Sequence, residues 1–176
     1  GDFNNWQEKK EYKLKRIKDT GNWEVKLKSD AIKHGDHYKL KVYWNGGCGE
    51  RIPAWTRRVV QDEHTHIFSA QVWNPDKPYT FKKKSFKPKT DPLLVYECHI
   101  GMSQNEEKVG TYNEFREKIL PRIAEDGYNC IQIMAIQEHP YYGSFGYHAS
   151  SFFAASSRFG TPDELKQLID TAHGMG

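Results

Sequence analysis

The apolar residues of this chain follow one pattern before residues 82–92 and another pattern after them. In the first part, short runs alternate between apolar and polar residues, as at residues 23–28 and 38–44. Alternation of this kind gives a β-strand one apolar and one polar face. Turn-forming residues separate the runs, at residues 19–22, 34–36 and 45–47. Several short strands at such spacing predict an antiparallel β-sandwich over residues 1–81.

Residues 82–92 are rich in lysine and contain Pro88 and Pro92. Proline has no backbone N–H and clustered like charges repel, so neither feature favours a strand or a helix. A lysine run can also bind phosphate groups, but a solvated connector is the more common occurrence. We therefore expect residues 82–92 to be an extended connector between two structural units.

Strand-like and helix-like segments alternate after the connector, over residues 93–176. Short apolar runs of the buried-strand type lie at residues 93–100 and 128–136. A helical pattern follows each of these runs. Alternating strands and helices predict parallel strands joined by right-handed helical crossovers.

Both predicted helices begin at capping sequences. Thr111 and Glu114 form an S/T-x-x-E capping box, and Thr161 and Glu164 form a second one. Pro162 takes the first helical position of the second helix, where its missing N–H costs nothing. Apolar residues then recur at helical spacing, and they predict a buried stripe. These residues are Phe115, Ile119 and Ile123 in the first helix, and Leu165, Leu168, Ile169 and Ala172 in the second.

Proline and glycine set the limits of the first helix. Pro121 lies inside its apolar pattern and predicts a kink or a break into two short helices. Gly127 predicts the end of the helix. The aromatic and small residues of 137–160 predict a long loop before the second helix.

The second part holds only two strand–helix units, and the chain ends where a third strand is due. A two-stranded parallel sheet cannot cover both of its faces or protect its edges. We therefore expect the chain to be a segment of a longer protein, truncated at both ends. In isolation we expect the second part to be poorly packed, because Ile131, Ile133 and Ile136 lack neighbouring strands.

Composition excludes several classes of protein. Twenty-six basic and 23 acidic residues give a net charge of +3, which is too small to predict a nucleic-acid partner. No apolar run approaches the roughly 18 residues of a membrane span, and residues 1–6 do not resemble a signal peptide. Cys48, Cys98 and Cys130 form no CxxC pair, so we expect free thiols. The sequence predicts a cytoplasmic protein with no membrane partner, metal or cofactor.

Several segments resemble a known enzyme family. Residues 1–6, GDFNNW, resemble the opening of the starch- and glycogen-binding sandwich that precedes the barrel in alpha-amylase-family enzymes. The second part is similar to the 1,4-alpha-glucan branching enzymes, and residues 150–162, SSFFAASSRFGTP, resemble the eukaryotic glycogen and starch branching enzymes in particular. The other matching segments are 96–101 (YECHIG), 120–123 (LPRI), 127–136 (GYNCIQIMAI), 137–139 (QEH) and 144–147 (SFGY). Together they cover essentially the whole chain in the family's order.

The resemblance implies a transferase of glycogen or starch biosynthesis that cuts an alpha-1,4 glucan and rejoins the freed segment through an alpha-1,6 bond. It implies that residues 93–176 begin a (β/α)8 TIM barrel, with the active site at the carboxyl ends of the strands. The family's reaction retains configuration, with a carboxylate nucleophile and a carboxylic acid that protonates the leaving oxygen. In the family these carboxylates come from later strands. The chain therefore has no catalytic residue of its own, and we expect it to be inactive alone.

Two glutamates and two histidines lie near the carboxyl ends of the two predicted strands. Glu97 and Glu138 could supply the two carboxyl groups of a retaining enzyme, which lie about 5–5.5 Å apart. The family does not place its catalytic carboxylates on these strands, so we assign both to structural roles. We expect His99 and His139 to form hydrogen bonds within the barrel and not to act as bases or metal ligands.

The resemblance also assigns residues that contact glucan. Tyr147 matches a tyrosine that stacks on the sugar at the cleavage point, and an aromatic ring suits the apolar face of a pyranose. The alternative for Tyr147 is packing against neighbouring aromatic residues of its loop. Trp6 corresponds to a glycan-stacking residue, with core packing as an equal alternative. The remaining predicted contacts are Asp19, Thr20, Gly21 and Asn22 of a turn, and Lys41, for which Lys39 on the same strand face is an alternative. We expect core packing for Trp23 and Trp44, and assign no role to Trp55 or Trp73.

Two other functions remain open. Residues 1–81 also resemble the glycan-targeting modules of regulatory proteins, which bind glycogen without chemistry. An amylase or debranching hydrolase would share both the sandwich and the barrel. The motifs between Tyr96 and Thr161 have no place in a pure binding module, and residues 150–162 favour branching over hydrolysis. An alpha-glucan polymer is the expected partner in every case.

Overall fold

The computed structural model describes residues 1–88 and 92–176. In the first part every strand pairs antiparallel with its neighbour. The strands fall into three small sheets, ordered β1–β2, β3–β7–β6 and β4–β5. The strands are β1 (Lys15–Arg16), β2 (Trp23–Glu24), β3 (His37–Tyr38), β4 (Leu40–Trp44), β5 (Gly47–Arg51), β6 (Val59–Gln61) and β7 (Phe68–Gln71). The predicted antiparallel pairing is confirmed, and the strands are shorter than the sequence suggests.

Two predicted strands are interrupted. The run at residues 23–28 is a strand only at Trp23 and Glu24, because its partner β1 is itself only Lys15–Arg16. The run at residues 38–44 is broken at Lys39, because β3 pairs with β7 whereas β4 pairs with β5. The chain therefore passes from one sheet to another within what the sequence presents as a single strand.

The second part begins with a parallel pair of strands joined by a helical crossover, as predicted. Val95 lies opposite Cys130 and Cys98 opposite Ile133 in the two-stranded sheet. Its elements are β8 (Val95–Cys98), α1 (Tyr112–Glu114), α2 (Leu120–Glu125), β9 (Cys130–Ile133), β10 (Gln137–Glu138), β11 (Ser151–Ala155) and α3 (Pro162–Met175). Residues 82–88 of the predicted connector form no strand or helix, and residues 89–91 lie outside the described residues.

Pro121 does not break the first helix. A π-helical turn, Phe115–Ile119, joins α1 to α2, so the helix continues with one wider turn immediately before the proline. Proline lacks an N–H and crowds the preceding turn, and a wider turn relieves that crowding. Gly127 ends the helix with a φ of +89°, as predicted.

The long loop predicted at residues 137–160 is wrong in part. β10 and β11 pair antiparallel within it, with an irregular register between Gln137 and Glu138. A strand of only two residues, such as β10, is too short to show the alternation of apolar and polar residues from which a strand is predicted. The buried Glu138 instead fixes this segment, because its carboxylate accepts a hydrogen bond of 2.7 Å from the Ser157 amide.

The core of the second part lies between the parallel strands and the helices. Its buried residues are Cys98, Ile100, Tyr112, Phe115, Leu120, Ile123, Phe159 and Leu168. Ile131, Ile133 and Ile136 are partly buried and pack against this cluster. Poor packing of the isolated second part stays a prediction about its stability. Both predicted capping boxes are present, at Thr111 and at Thr161.

Arg58 and Trp73 connect the two parts of the chain. The buried Arg58 guanidinium donates to the Gly160 carbonyl at 2.6 Å and lies 5.3 Å from the Trp73 ring centroid. Trp73 in turn donates its indole N–H to Asp163 at 3.4 Å. Burial lowers the pKa of Arg58, and the negative charge of Glu138 opposes that shift.

Asp170 of α3 makes the second connection. Its carboxylate accepts the Tyr79 hydroxyl at 2.6 Å and the backbone amides of Lys82 and Lys83 at 2.8 and 2.9 Å. This role of Asp170 was not predicted from the sequence. The sequence did contain a signal, because Asp170 lies next to the apolar stripe of the helix. An acidic residue at such a position is expected to be buried, and a buried charge requires hydrogen-bond partners. The Tyr79 hydroxyl and then the two amides hold the pKa of Asp170 below its ordinary value.

We expect Asp170→Asn to remove part of the pH dependence of folding. A carboxylate with a lowered pKa in the folded state stabilises the fold above its unfolded pKa of about 3.9, and this stabilisation is lost as the pH falls through the folded value. The difference in urea unfolding between the native protein and Asp170→Asn should therefore be largest near pH 6 and shrink progressively as the pH falls below 4. A difference that stays constant from pH 6 to pH 3 would contradict this role of Asp170.

The three cysteines are free, and Cys48 is exposed whereas Cys98 is buried. Burial, followed by the charge of Glu97, raises the pKa of Cys98 to about 11, so its thiol stays protonated at neutral pH. Across residues 1–88 and 92–176, no group of three or more metal-ligating side chains is found. In the same residues no helix has the length and apolar character of a membrane span.

Candidate glucan-binding site

Tyr147 is presented by a tight turn at the edge of the second part. A 3-10 turn, Tyr142–Ser144, leads into Phe145 and Gly146, which have φ values of +52° and +83°. The Tyr147 amide donates to the Ser144 carbonyl at 3.0 Å, and the side chain is 74% exposed. An exposed ring is the arrangement expected for stacking on a sugar, whereas the alternative of loop packing requires a covered ring.

Gly146 allows the turn to lie close to Ala135, two residues after the end of β9. A Cβ atom at this position would lie 2.6 Å from the Ala135 carbonyl oxygen. Only glycine combines that close approach with a positive φ at little cost. The hydroxyl of Tyr147 lies 3.7 Å from the Met134 sulfur, so the ring extends over the end of β9.

The acidic residues near the strand ends occupy different environments. Glu97 is exposed, whereas Glu138 is fully buried and accepts hydrogen bonds from the backbone amides of Ser157 and His139. A buried carboxylate with backbone donors holds the local chain in place, which supports the structural role expected for Glu138. His139 also bonds to the backbone, at 3.0 Å from the Gln137 carbonyl oxygen.

Trp6 lies in a compact turn at the start of the chain. Its φ is +57°, its side chain is 47% exposed, and its indole N–H donates to Asp2 at 2.9 Å. The other oxygen of Asp2 accepts the His37 amide at 2.7 Å, which ties the turn to β3. The indole ring is therefore held at one edge and remains half exposed for a ligand.

The turn between β1 and β2 contains the four predicted contact residues Asp19, Thr20, Gly21 and Asn22. The Thr20 hydroxyl donates to the Ile17 carbonyl and accepts the Asn22 amide, both at 3.1 Å. Apart from its two chain neighbours, no atom of the described residues lies within 4 Å of a Cβ placed on Gly21, so the turn faces open space. Arg16, Lys18, Asp19, Thr20 and Gly21 line a surface depression here.

Lys41 and its alternative Lys39 differ in environment. Lys41 lies exposed on β4. Lys39 lies in the break before β4, its side chain is 16% exposed, and its ammonium is 3.5 Å from the Glu50 carboxylate. The two residues therefore do not share a strand, and Lys41 is the lysine with the freer side chain. No hydrogen bond among the described residues joins Trp6, the 19–22 turn or Lys41 to Tyr147.

The prediction that Trp23 and Trp44 are core residues is wrong. Trp23 is 60% exposed because it lies on a strand of only two residues in a two-stranded sheet. Trp44 is 50% exposed at the end of the β4–β5 hairpin, where its ring covers Gly47 and Gly49. The alternating pattern identified the strands, but burial requires a second layer over them.

Comparison with known proteins identifies relatives along the full chain. This chain is 47% identical over 184 residues to the 1,4-alpha-glucan-branching enzyme of Dictyostelium discoideum. It is 48% identical over 183 residues to that of Rhizophagus irregularis, and 46% identical over 184 residues to that of Felis catus. Each match covers 100% of this chain, which spans 26% of the length of each of these relatives. No family model matches the chain.

Two solved structures share the fold. A pullulanase from Bacillus acidopullulyticus matches with a TM-score of 0.65 at 16% identity, covering 81% of this chain and 21% of that one. A type I pullulanase from Bacillus subtilis, solved in complex with maltose, matches with a TM-score of 0.62 at 21% identity, covering 81% of this chain and 24% of that one. The resemblance to branching enzymes that the motifs indicate is confirmed at the level of sequence.

Proposed function

We propose that this chain, which is similar over its full length to part of the 1,4-alpha-glucan-branching enzymes, belongs to a protein that branches alpha-glucans. The observation that carries the proposal is identity of 46–48% along the entire chain to enzymes of that name from an amoeba, a fungus and a mammal. An alpha-glucan polymer such as glycogen or starch is then its partner. Three free cysteines support a cytoplasmic location, because such thiols persist in reducing compartments.

In this proposal, residues 1–81 are a carbohydrate-binding sandwich and residues 93–176 begin a (β/α)8 barrel. The antiparallel strands of the first part and the parallel β8–β9 pair of the second part support this division. The contacts of Arg58 and Asp170 across the boundary support a fixed arrangement of the two units. Residues 82–92 are the connector between them.

The proposed reaction needs no water. A carboxylate nucleophile attacks C1 of the donor sugar, the bond from C1 to the leaving O4 breaks, and a carboxylic acid protonates that oxygen. The 6-hydroxyl of an acceptor glucose then attacks C1, and the bond between C1 and the carboxylate nucleophile breaks. The hydroxyl gives its proton to the same acid–base group. The two carboxyl groups are expected outside residues 1–176. Within this chain, Tyr147 stacks on the donor sugar, and Trp6, the 19–22 turn and Lys41 hold the polymer.

Linkage analysis tests the proposed function. The full-length protein is incubated with linear amylose, and new alpha-1,6 linkages are counted against new reducing ends. Branching predicts many new linkages and few reducing ends. Reducing ends without branches would establish a hydrolase of the amylase or debranching type. Co-sedimentation with amylose and no reaction would establish a binding module.

We expect Trp6→Ala to weaken binding of the protein to insoluble amylose several-fold. The half-exposed indole supplies a flat apolar surface for stacking on a sugar, and weak sites of this kind act together along a polymer. Co-sedimentation at increasing amylose concentration measures the effect. Trp55→Ala is the matched control, because Trp55 is 76% exposed and lies outside the predicted contacts. Equal losses in the two variants would contradict a specific role for Trp6.

A further inference from the structure

We infer that His99 is a positioning residue, which holds the turn that presents Tyr147. The inference rests on the proposed function in one respect, which is that the turn places Tyr147 against the donor sugar. The position of the turn itself is a property of the chain. His99 follows β8 directly, so it lies at the carboxyl end of the parallel pair.

The contact joins the His99 side chain to the backbone of the turn. The Nε2 atom lies 2.9 Å from the Phe145 carbonyl oxygen, and only 8% of the residue is exposed. A carbonyl only accepts, so Nε2 carries the hydrogen and donates. The buried Nδ1 has no hydrogen-bond partner among the described residues. Among the described residues, the hydrogen bond from Nε2 is therefore the one that joins the His99 side chain to the turn.

His99 is held both at its ring and at its backbone. Its ring meets the Phe159 ring edge-on, with centroids 5.7 Å apart, and Phe159 is fully buried in the core. The His99 carbonyl accepts the Met102 amide at 3.1 Å and also the Ser103 hydroxyl. Because these contacts hold His99 against the core, its hydrogen bond fixes the position of the turn relative to the core.

The turn requires such a restraint because its backbone is unfavourable. Phe145 has a φ of +52°, in the left-handed region that residues with a side chain seldom adopt. Its carbonyl is the atom that His99 holds, and Gly146 and Tyr147 follow directly. The Tyr147 ring is exposed, so its position depends on the backbone that precedes it. Without the donor, Phe145 can relax to a negative φ and carry Tyr147 away.

Two variants of the full-length protein test the inference. His99→Leu removes the donor and keeps an apolar side chain, whereas His99→Gln places an amide N–H near the position of Nε2. We expect His99→Leu to raise hydrogen exchange in residues 142–148 without raising it in α3, and His99→Gln to restore native exchange. We expect kcat/KM for branching of amylose to fall roughly 10-fold in His99→Leu, because small misplacements of a contacting group are costly. His99→Gln should recover most of that loss.

A double variant separates positioning from general destabilisation. If His99 acts through Tyr147, the double variant His99→Leu/Tyr147→Ala should lose little more activity than the more impaired of the two single variants. Fully additive losses, unchanged exchange in residues 142–148, or equal exchange in His99→Leu and His99→Gln would each overturn the inference. If the unaltered protein forms no branches, the proposed function fails, and the exchange measurement still decides whether His99 holds the turn.

Discussion

Replacing Tyr147 with alanine should lower kcat/KM for branching about 100-fold and leave folding stability almost unchanged. Tyr147 is 74% exposed, and the one hydrogen bond of its side chain among the described residues joins its hydroxyl weakly to the Met134 sulfur at 3.7 Å. Removing it therefore costs no more than about 0.5 kcal/mol of unfolding free energy, as for other surface residues. The loss of kcat/KM comes instead from the missing stacking contact between the ring and the donor sugar. Steady-state branching kinetics and urea unfolding measure the two quantities.

Tyr147→Phe is the matched control for this prediction. It keeps the aromatic face and removes only the hydroxyl, so most of the branching activity should remain. An alanine variant with native kinetics would show that the ring does not contact the substrate. A phenylalanine variant as impaired as the alanine variant would show that the hydroxyl, and not the ring, makes the important contact.

Phe159→Ala should destabilise the protein by about 3–5 kcal/mol, the usual cost of removing a large buried aromatic side chain. Phe159 is fully buried, and its ring packs against Tyr112, His99 and His139. Its position also limits Gly101, where a Cβ would lie 2.8 Å from the Phe159 ring. A cavity here would loosen the helix α1, β8 and the loop before α3 together. Chemical denaturation of the purified protein measures the loss.

Phe152→Ala removes the same atoms from an exposed site and serves as the control. Phe152 is 71% exposed on β11, so its removal should cost less than about 1 kcal/mol. Comparable losses in the two variants would show that the Phe159 cluster is not the core of the second part. Native stability of Phe159→Ala would also contradict this account.

Features that depend on neighbouring residues in sequence were predictable. Both capping boxes form, because Thr111 and Thr161 each need only the amide and carboxylate three residues ahead. Gly127 ends its helix for a similarly local reason. The parallel β8–β9 pair also follows from the order of strand, helix and strand.

Features that depend on distant residues were not predictable from the pattern. The exposure of Trp23 and Trp44 reflects sheets that have no second layer over these rings, which alternation cannot report. β10 and β11 pair across an aromatic loop because of contacts that Glu138 makes with residues far along the chain. Asp170 holds the connector through donors that lie nearly 90 residues earlier, at separations of 87 to 91 positions.

The candidate site divides in the same way. The family motif identifies Tyr147 and the glycine before it, and the structure explains how a left-handed turn exposes the ring. The role of His99 depends on a hydrogen bond to a residue 46 positions away, so the sequence indicated only a hydrogen-bonding histidine. The contacts of Trp6, the 19–22 turn and Lys41 with glucan stay predictions.

Incubation of the full-length protein with linear amylose in water enriched in oxygen-18 tests the central proposal most directly. Transfer of a glycosyl group to a sugar hydroxyl uses no water and creates no reducing end, so new alpha-1,6 linkages should accumulate while the glucan takes up almost no oxygen-18 beyond the anomeric exchange of an enzyme-free control. Hydrolysis places one water oxygen at each new reducing end. Extensive oxygen-18 at reducing ends without new branches would contradict the proposal that this chain belongs to a branching enzyme.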